Sequence, residues 1–132
     1  MRFKSKIKYI NTQKAPKALG PYSQGIIFDK FIFCSGQIGI NPKTSDLEKD
    51  IQSQTKQAIM NLKAILEAGG SSLEKVIKTT VYLKNISDFQ LMNEIYEKFF
   101  NKNKPTRATI EVSNLPKGAL IEIEAIAIKW KK

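Results

Sequence analysis

The chain has 132 residues, 42% hydrophobic and 26% charged, the balance of one globular domain with room for a single core. Histidine is absent, which excludes Ser-His-Asp and Cys-His centres, histidine-ligated zinc and paired-histidine ribonuclease chemistry. Acid–base work at neutral pH then falls to Glu, Asp, Tyr, Lys, a backbone group or water.

In chain order, residues 6–10 read as a short strand, followed by a loop holding Pro16 and the Gly20-Pro21-Tyr22 turn. Residues 24–29 and 31–35 read as two strands joined at Asp29-Lys30 in a hairpin, and Gly36 to Asp46 reads as loop with Asn41-Pro42 as breaker. From about Asp50 to Ala68 the spacing turns helical, with Ile51, Thr55, Ala58, Ile59, Leu62, Ile65 and Leu66 on one face and Gly69-Gly70 as stop. Residues 76–83 form a further strand. Ser87 with Gln90 three residues on predicts a capping box for a second helix that runs to about Phe100. After the polar turn 101–104 and Pro105 come two more strands, about 107–113 and 119–130. The order β-β-β-α-β-α-β-β predicts an α+β domain spanning 1–132.

Two helices shield only one face of such a sheet, yet residues 26–35 and 119–130 carry apolar side chains on both sides. A second copy of the chain is the economical cover. No apolar stretch approaches the roughly 20 residues of a membrane span. The basic start (Arg2, Lys4, Lys6, Lys8) lacks the apolar core of a secretory signal. A lone cysteine, Cys34, fits a reducing compartment, so the cytoplasm is the expected location.

The net charge of +10 raises the question of nucleic acid. The charge is spread along the chain, which reads either as a solvated lysine surface or as a face that binds nucleic acid weakly and without sequence preference. Against 20 lysines there are only two arginines, Arg2 and Arg107. An internal arginine in so lysine-rich a chain points either to a planar fork for carboxylate or phosphate, or to a structural ion pair. Glu122 and Glu124 lie two apart on a strand and share one face among isoleucines, either as a perturbed carboxylate pair or as an ordinary exposed edge. Glu111 is a third strand carboxylate. Tyr22 beside its Gly-Pro turn, Ser35-Gly36-Gln37 at a strand end and Asn93 in mid-helix are polar candidates with equally ordinary structural readings. Cys34 reads as a small core residue.

Taken together these segments match a known family in order and spacing. Gly20-Pro21-Tyr22-Ser23-Gln24-Gly25, Cys34-Ser35-Gly36-Gln37-Ile38, Lys78-Thr79-Thr80-Val81-Tyr82-Leu83, Pro105-Thr106-Arg107-Ala108 and Ile121-Glu122-Ile123-Glu124-Ala125 resemble the RidA/YjgF family over about residues 7–130. The resemblance implies a chorismate-mutase-like mixed sheet with two helices on one face, assembled as a homotrimer with sites between subunits. It further implies hydrolysis of 2-iminobutanoate and 2-iminopropanoate to 2-oxo acids and ammonia, with no cofactor and no metal. The substrates are imino or enamine acids released by PLP enzymes such as threonine dehydratase.

On the same resemblance Arg107 grips the substrate carboxylate and Glu122 holds or activates the attacking water. Tyr22, Ser35, Gly36, Asn93 and Thr109 line the pocket, and Arg107 meets some of these only across an interface. Thr109 stands where many deaminase members carry cysteine. The alternative within the same family is an endoribonuclease or translation-inhibiting RNA-binding protein.

Overall fold

The computed structural model describes residues 6–129. Its strands are β1 (Lys8–Ile10), β2 (Gly25–Phe28), β3 (Phe31–Ile38), β4 (Val76–Leu83), β5 (Thr106–Glu111) and β6 (Ile121–Ile128), and its helices are α1 (Ile51–Ala68) and α2 (Phe89–Phe100). The six strands make one mixed sheet in the order β1-β2-β3-β6-β4-β5, parallel only between β4 and β5. The α+β expectation is borne out, with Trp130 of the last predicted strand outside the described residues.

Strand alternation builds the core. Ile121, Ile123, Ala125 and Ala127 of β6, Ile32 and Cys34 of β3, and Val81 and Leu83 of β4 are buried. Against them pack Ala58, Ile59, Leu62, Ile65 and Leu66, recurring at helical spacing on α1, and Met92, Tyr96 and Phe100 on α2. Both helices lie on this one face, and α2 is tied to it by a 2.7 Å hydrogen bond between the Tyr96 and Thr79 hydroxyls. Burial leaves the Cys34 thiol inert, its pKa pushed up to about 12. The opposite face is uncovered. Phe28, Phe31 and Phe33 stand exposed there, beside half-buried Ile126 and Ile128. No described helix is long and apolar enough to cross a membrane.

Two sequence expectations change. The predicted capping box at Ser87 does not form, because residues 86–88 make a 3-10 turn and α2 starts after Asp88 with no side-chain cap. The Asp50 side chain instead caps α1, accepting from the Ser53 amide at 2.8 Å while Ser53 Oγ accepts from the Asp50 amide. Gly36 does not open a loop, because β3 continues to Ile38 through an irregularity between Cys34 and Gln37.

Beyond β3 the chain is held by a buried amide. Asn61 of α1, fully buried, donates to the Ile38 and Ile40 carbonyls at 3.2 and 2.9 Å. Asn61→Ala removes both bonds and strands the Ile40 carbonyl, while the Ile38 carbonyl keeps the Ile40 amide at 2.8 Å. It should cost about 1–3 kcal/mol in denaturant unfolding.

Candidate active site

Glu122 projects from the uncovered face of β6, flanked in register by Ile38 of β3 and Tyr82 of β4. The irregularity in β3 turns Gly36 under it. A side chain at Gly36 would overlap the Glu122 carboxylate, so glycine is needed here to seat the acid rather than to admit a ligand to the backbone. The carboxylate borders a cleft of about 590 Å³ whose wall includes Tyr22, Ser35, Gly36, Lys117 and Glu124. Partial burial, and then the negative charge of Glu124, raise the proton affinity of Glu122 above that of an ordinary glutamate.

The loop carrying Tyr22 is fixed from below. Gln24, almost fully buried, accepts from the Thr12 amide at 2.7 Å and donates to the Pro16 carbonyl at 2.8 Å. The Ser35 hydroxyl donates to the Ser23 carbonyl at 2.5 Å, so in this chain it anchors the tyrosine loop while lining the cleft. Tyr22 itself is 53% exposed over that cleft.

Arg107 lies elsewhere. Parallel pairing sets it beside Thr79, on the helical face at the β5 edge of the sheet. There it donates from Nη1 to Asn93 Oδ1 at 2.8 Å, and its guanidinium carbon sits 4.7 Å from the Tyr96 ring centroid and 5.4 Å from that of Phe89. No described carboxylate pairs with it within 4.0 Å, which sets aside the structural ion pair left open by the sequence. Two residues on, Thr109 shares that face and buries a hydroxyl with no hydrogen-bond partner among the described residues. Glu111 serves the framework instead, its Oε1 accepting from the Ile86 amide at 2.8 Å and tying down the turn before α2.

The predicted residues thus fall into two sets. Tyr22, Ser35, Gly36 and Glu122 meet at one cleft, while Arg107, Asn93 and Thr109 gather on the other face of the sheet. One chain does not bring them together. Sequence reading overlooked the aromatic cradle of the arginine, although Phe89, Asn93 and Tyr96 follow the i, i+4, i+7 rhythm of one helix face. It also overlooked Tyr82, whose hydroxyl donates to Glu124 Oε2 at 3.1 Å.

A groove of about 620 Å³ along the outer side of α1 is as large as the cleft and holds none of these residues. Its lysines (14, 43, 56 and 63) follow the chain-wide excess, and its one acid, Glu67, pairs with Lys63 at 3.6 Å.

The family model described as Endoribonuclease L-PSP matches residues 12–129. The chain belongs to the RidA/YjgF family. It is 57% identical to a RutC family protein of Pyrococcus horikoshii over 121 residues, 91% of this chain and 96% of that one. It is 47% identical to the 2-iminobutanoate/2-iminopropanoate deaminase of Homo sapiens over 123 residues, 92% of this chain and 90% of that one. Among solved structures, the YjgF gene product of Escherichia coli matches with a TM-score of 0.89 at 44% identity, covering 93% of this chain and 99% of the other. The RidA-type sheet with its two helices is therefore the family's own fold.

Gly36→Ala tests how the acid is seated. The added methyl meets the mobile end of a side chain, not backbone, so the melting temperature should stay within about 3 °C. Under the function proposed below, the displaced Glu122 carboxylate should lower kcat at least tenfold, about 1.4 kcal/mol in the barrier. Steady-state kinetics and a thermal melt on one preparation check both halves.

Proposed function

We propose that the chain is a cofactor-independent hydrolase of reactive 2-imino acids, 2-iminobutanoate and 2-iminopropanoate, acting in the cytoplasm as a homotrimer with its sites between subunits. The deaminase name of the human relative supports the reaction. One observation carries the reading. A carboxylate-gripping arginine and a proton-accepting glutamate are each held ready by their own chain, on opposite faces of one sheet whose Glu122 side is left apolar and uncovered. A second copy laid against that face hides the phenylalanines and brings its own arginine edge to the cleft. The number three comes from the family.

In the joined site Arg107, with one donor committed to Asn93 and its plane steadied by two rings, offers the rest of its fork to the substrate carboxylate. The buried Thr109 hydroxyl, unpartnered among the described residues, lies on the same side. Such fixation turns attack by water into an effectively unimolecular step. The imine is electrophilic once protonated. As the water oxygen bonds to C2, one of its protons passes to Glu122 and the C=N pair moves onto nitrogen, giving a neutral carbinolamine. Glu122 returns that proton to the amine. The C–N bond then breaks, the hydroxyl proton goes to Glu122 as C=O forms, and the departing ammonia takes that proton as ammonium, which restores the carboxylate. A carboxylate whose proton affinity is raised suits both the taking and the giving. Tyr22 borders the cleft from its anchored loop.

Arg107→Lys keeps the charge and loses the fork. Charge-assisted hydrogen bonds are worth about 1.5–3 kcal/mol, so kcat/KM should fall roughly tenfold to several-hundredfold. A coupled assay with threonine dehydratase, following 2-oxobutanoate release, reads the loss. Activity within about twofold of wild type would remove Arg107 from the mechanism.

Glu122→Gln should bind a 2-oxo acid product normally and lose kcat, since the amide accepts no proton from water. Its stability carries a signed pH dependence. Folding raises the carboxyl pKa, so the native state binds more protons than the unfolded chain between the two values, and wild type loses stability as pH rises through that window. The glutamine variant escapes this penalty. It should therefore be the more stable protein at neutral pH, with the advantage fading as pH falls from the raised Glu122 value to the ordinary glutamate value.

Assembly is tested by mass and by mixing. Light scattering should give three times 14.9 kDa. Mixed oligomers of inactive Arg107→Ala and Glu122→Gln chains should regain activity, because some interfaces then combine an intact arginine with an intact glutamate. No recovery on mixing, or a fully active monomer, overturns the interface site.

A further inference from the structure

The uncovered face of β6 holds a second acid that the proposed mechanism does not use. Alternation puts Glu124 on the same face as Glu122, and the register sets Tyr82 opposite Glu122 and Thr80 opposite Glu124. The Tyr82 hydroxyl therefore reaches diagonally, past its direct partner, to donate to Glu124 Oε2 at 3.1 Å. Both carboxylates are half-buried, and no described lysine or arginine lies within 4.0 Å of either.

We propose that Tyr82 and Glu124 are positioning residues for Glu122: the tyrosine hydroxyl pins a negative charge two residues along the same strand face from the water-activating carboxylate. The role rests on the deaminase reading of Glu122. A tethered neighbouring charge cannot swing out into water, so the repulsion that makes Glu122 hold a proton more firmly is built into the sheet. The tyrosine is a dependable donor, because burial, the bond to Glu124 and the charge of both acids all push its hydroxyl pKa up. The other titratable groups bordering the cleft are Lys17 and Tyr22 from the loop before β2 and Lys117 before β6, and β3 contributes none. On β4, exposed Lys78 borders a smaller cavity that Glu124 also lines, so the effect of Glu124 on Glu122 is opposed only by exposed lysines, none within 4.0 Å of either acid.

Carboxyl-selective carbon-13 NMR on the full chain follows the Glu122 titration, with Glu122→Gln as the assignment control. Glu124→Gln should lower the Glu122 midpoint by about half a unit or more, at least a threefold drop in proton affinity. Tyr82→Phe should move it the same way by less, because an unpinned Glu124 carboxylate relaxes toward water. A thermal melt shows whether each variant is folded. In the coupled assay the acid limb of kcat/KM should move with the NMR midpoint while KM stays within about twofold. Midpoints within about 0.1 unit of wild type in both variants overturn the proposal. So does a moved midpoint with an unmoved acid limb. A wild-type chain without deaminase activity would overturn the functional reading instead, and the NMR midpoints alone would then decide whether the pair governs Glu122.

Discussion

The two-residue alternation of β6, near the middle of a sheet covered on one face only, is the constraint on which the rest depends. Its odd positions, Ile121, Ile123, Ala125 and Ala127, go under the helices and close the core. Its even positions, Glu122, Glu124, Ile126 and Ile128, must then face the other way. A shift of one residue would bury two carboxylates beneath α1, which no packing gain offsets. Core and chemistry are thus fixed by the same register. The glutamates sit at one end of the uncovered face and the apolar residues at the other.

That constraint also explains why the fold was largely legible in the sequence. The helical spacing of α1 and the apolar runs of β3 and β6 name their own elements, because each buries a continuous stripe. The errors came where local chemistry has more than one solution. Ser87-x-x-Gln90 has the letters of a capping box, but a 3-10 turn from Ile86 carries the chain into α2 without one. Asp50-x-x-Ser53 forms such a box at the start of α1 with a different pair of residues. Gly36 looked like a strand end, and its true reason, the carboxylate lying against it, comes from a residue 86 positions away in the chain.

For the site, the sequence supplied residue types but not faces. The rarity of arginine singled out Arg107, and isoleucine neighbours singled out the pair Glu122 and Glu124, from which the family resemblance picked Glu122. Which side of the sheet Arg107 occupies depends on the parallel register of β5 against β4, where Thr79 is its partner. Such a long-range pairing leaves no local mark. The aromatic cradle was open to view as a period on α2, yet Phe89 and Tyr96 also satisfy the ordinary pattern of a core-facing helix, and Tyr96 serves both ends. Tyr82 stood in a segment that carries the family resemblance, but nothing in its place in the strand marked a role.

On the proposed function, the division of the site between two faces follows from what each half needs. An arginine that must present a rigid fork gains from a firm backing, and the helical face supplies rings and an amide without burying the charge outright. A carboxylate that must hold and release a proton gains from partial dehydration and a neighbouring charge, which the core would have made prohibitive and open water would have screened. The uncovered face offers the middle ground. Its apolar end stays costly in a lone chain, and on the proposed reading another copy laid over it would dry Glu122 further, in the direction that already favours its protonated form. On the proposed reading, the same contact that hides Phe31 and Phe33 also delivers the arginine and tightens the grip of Glu122 on its proton.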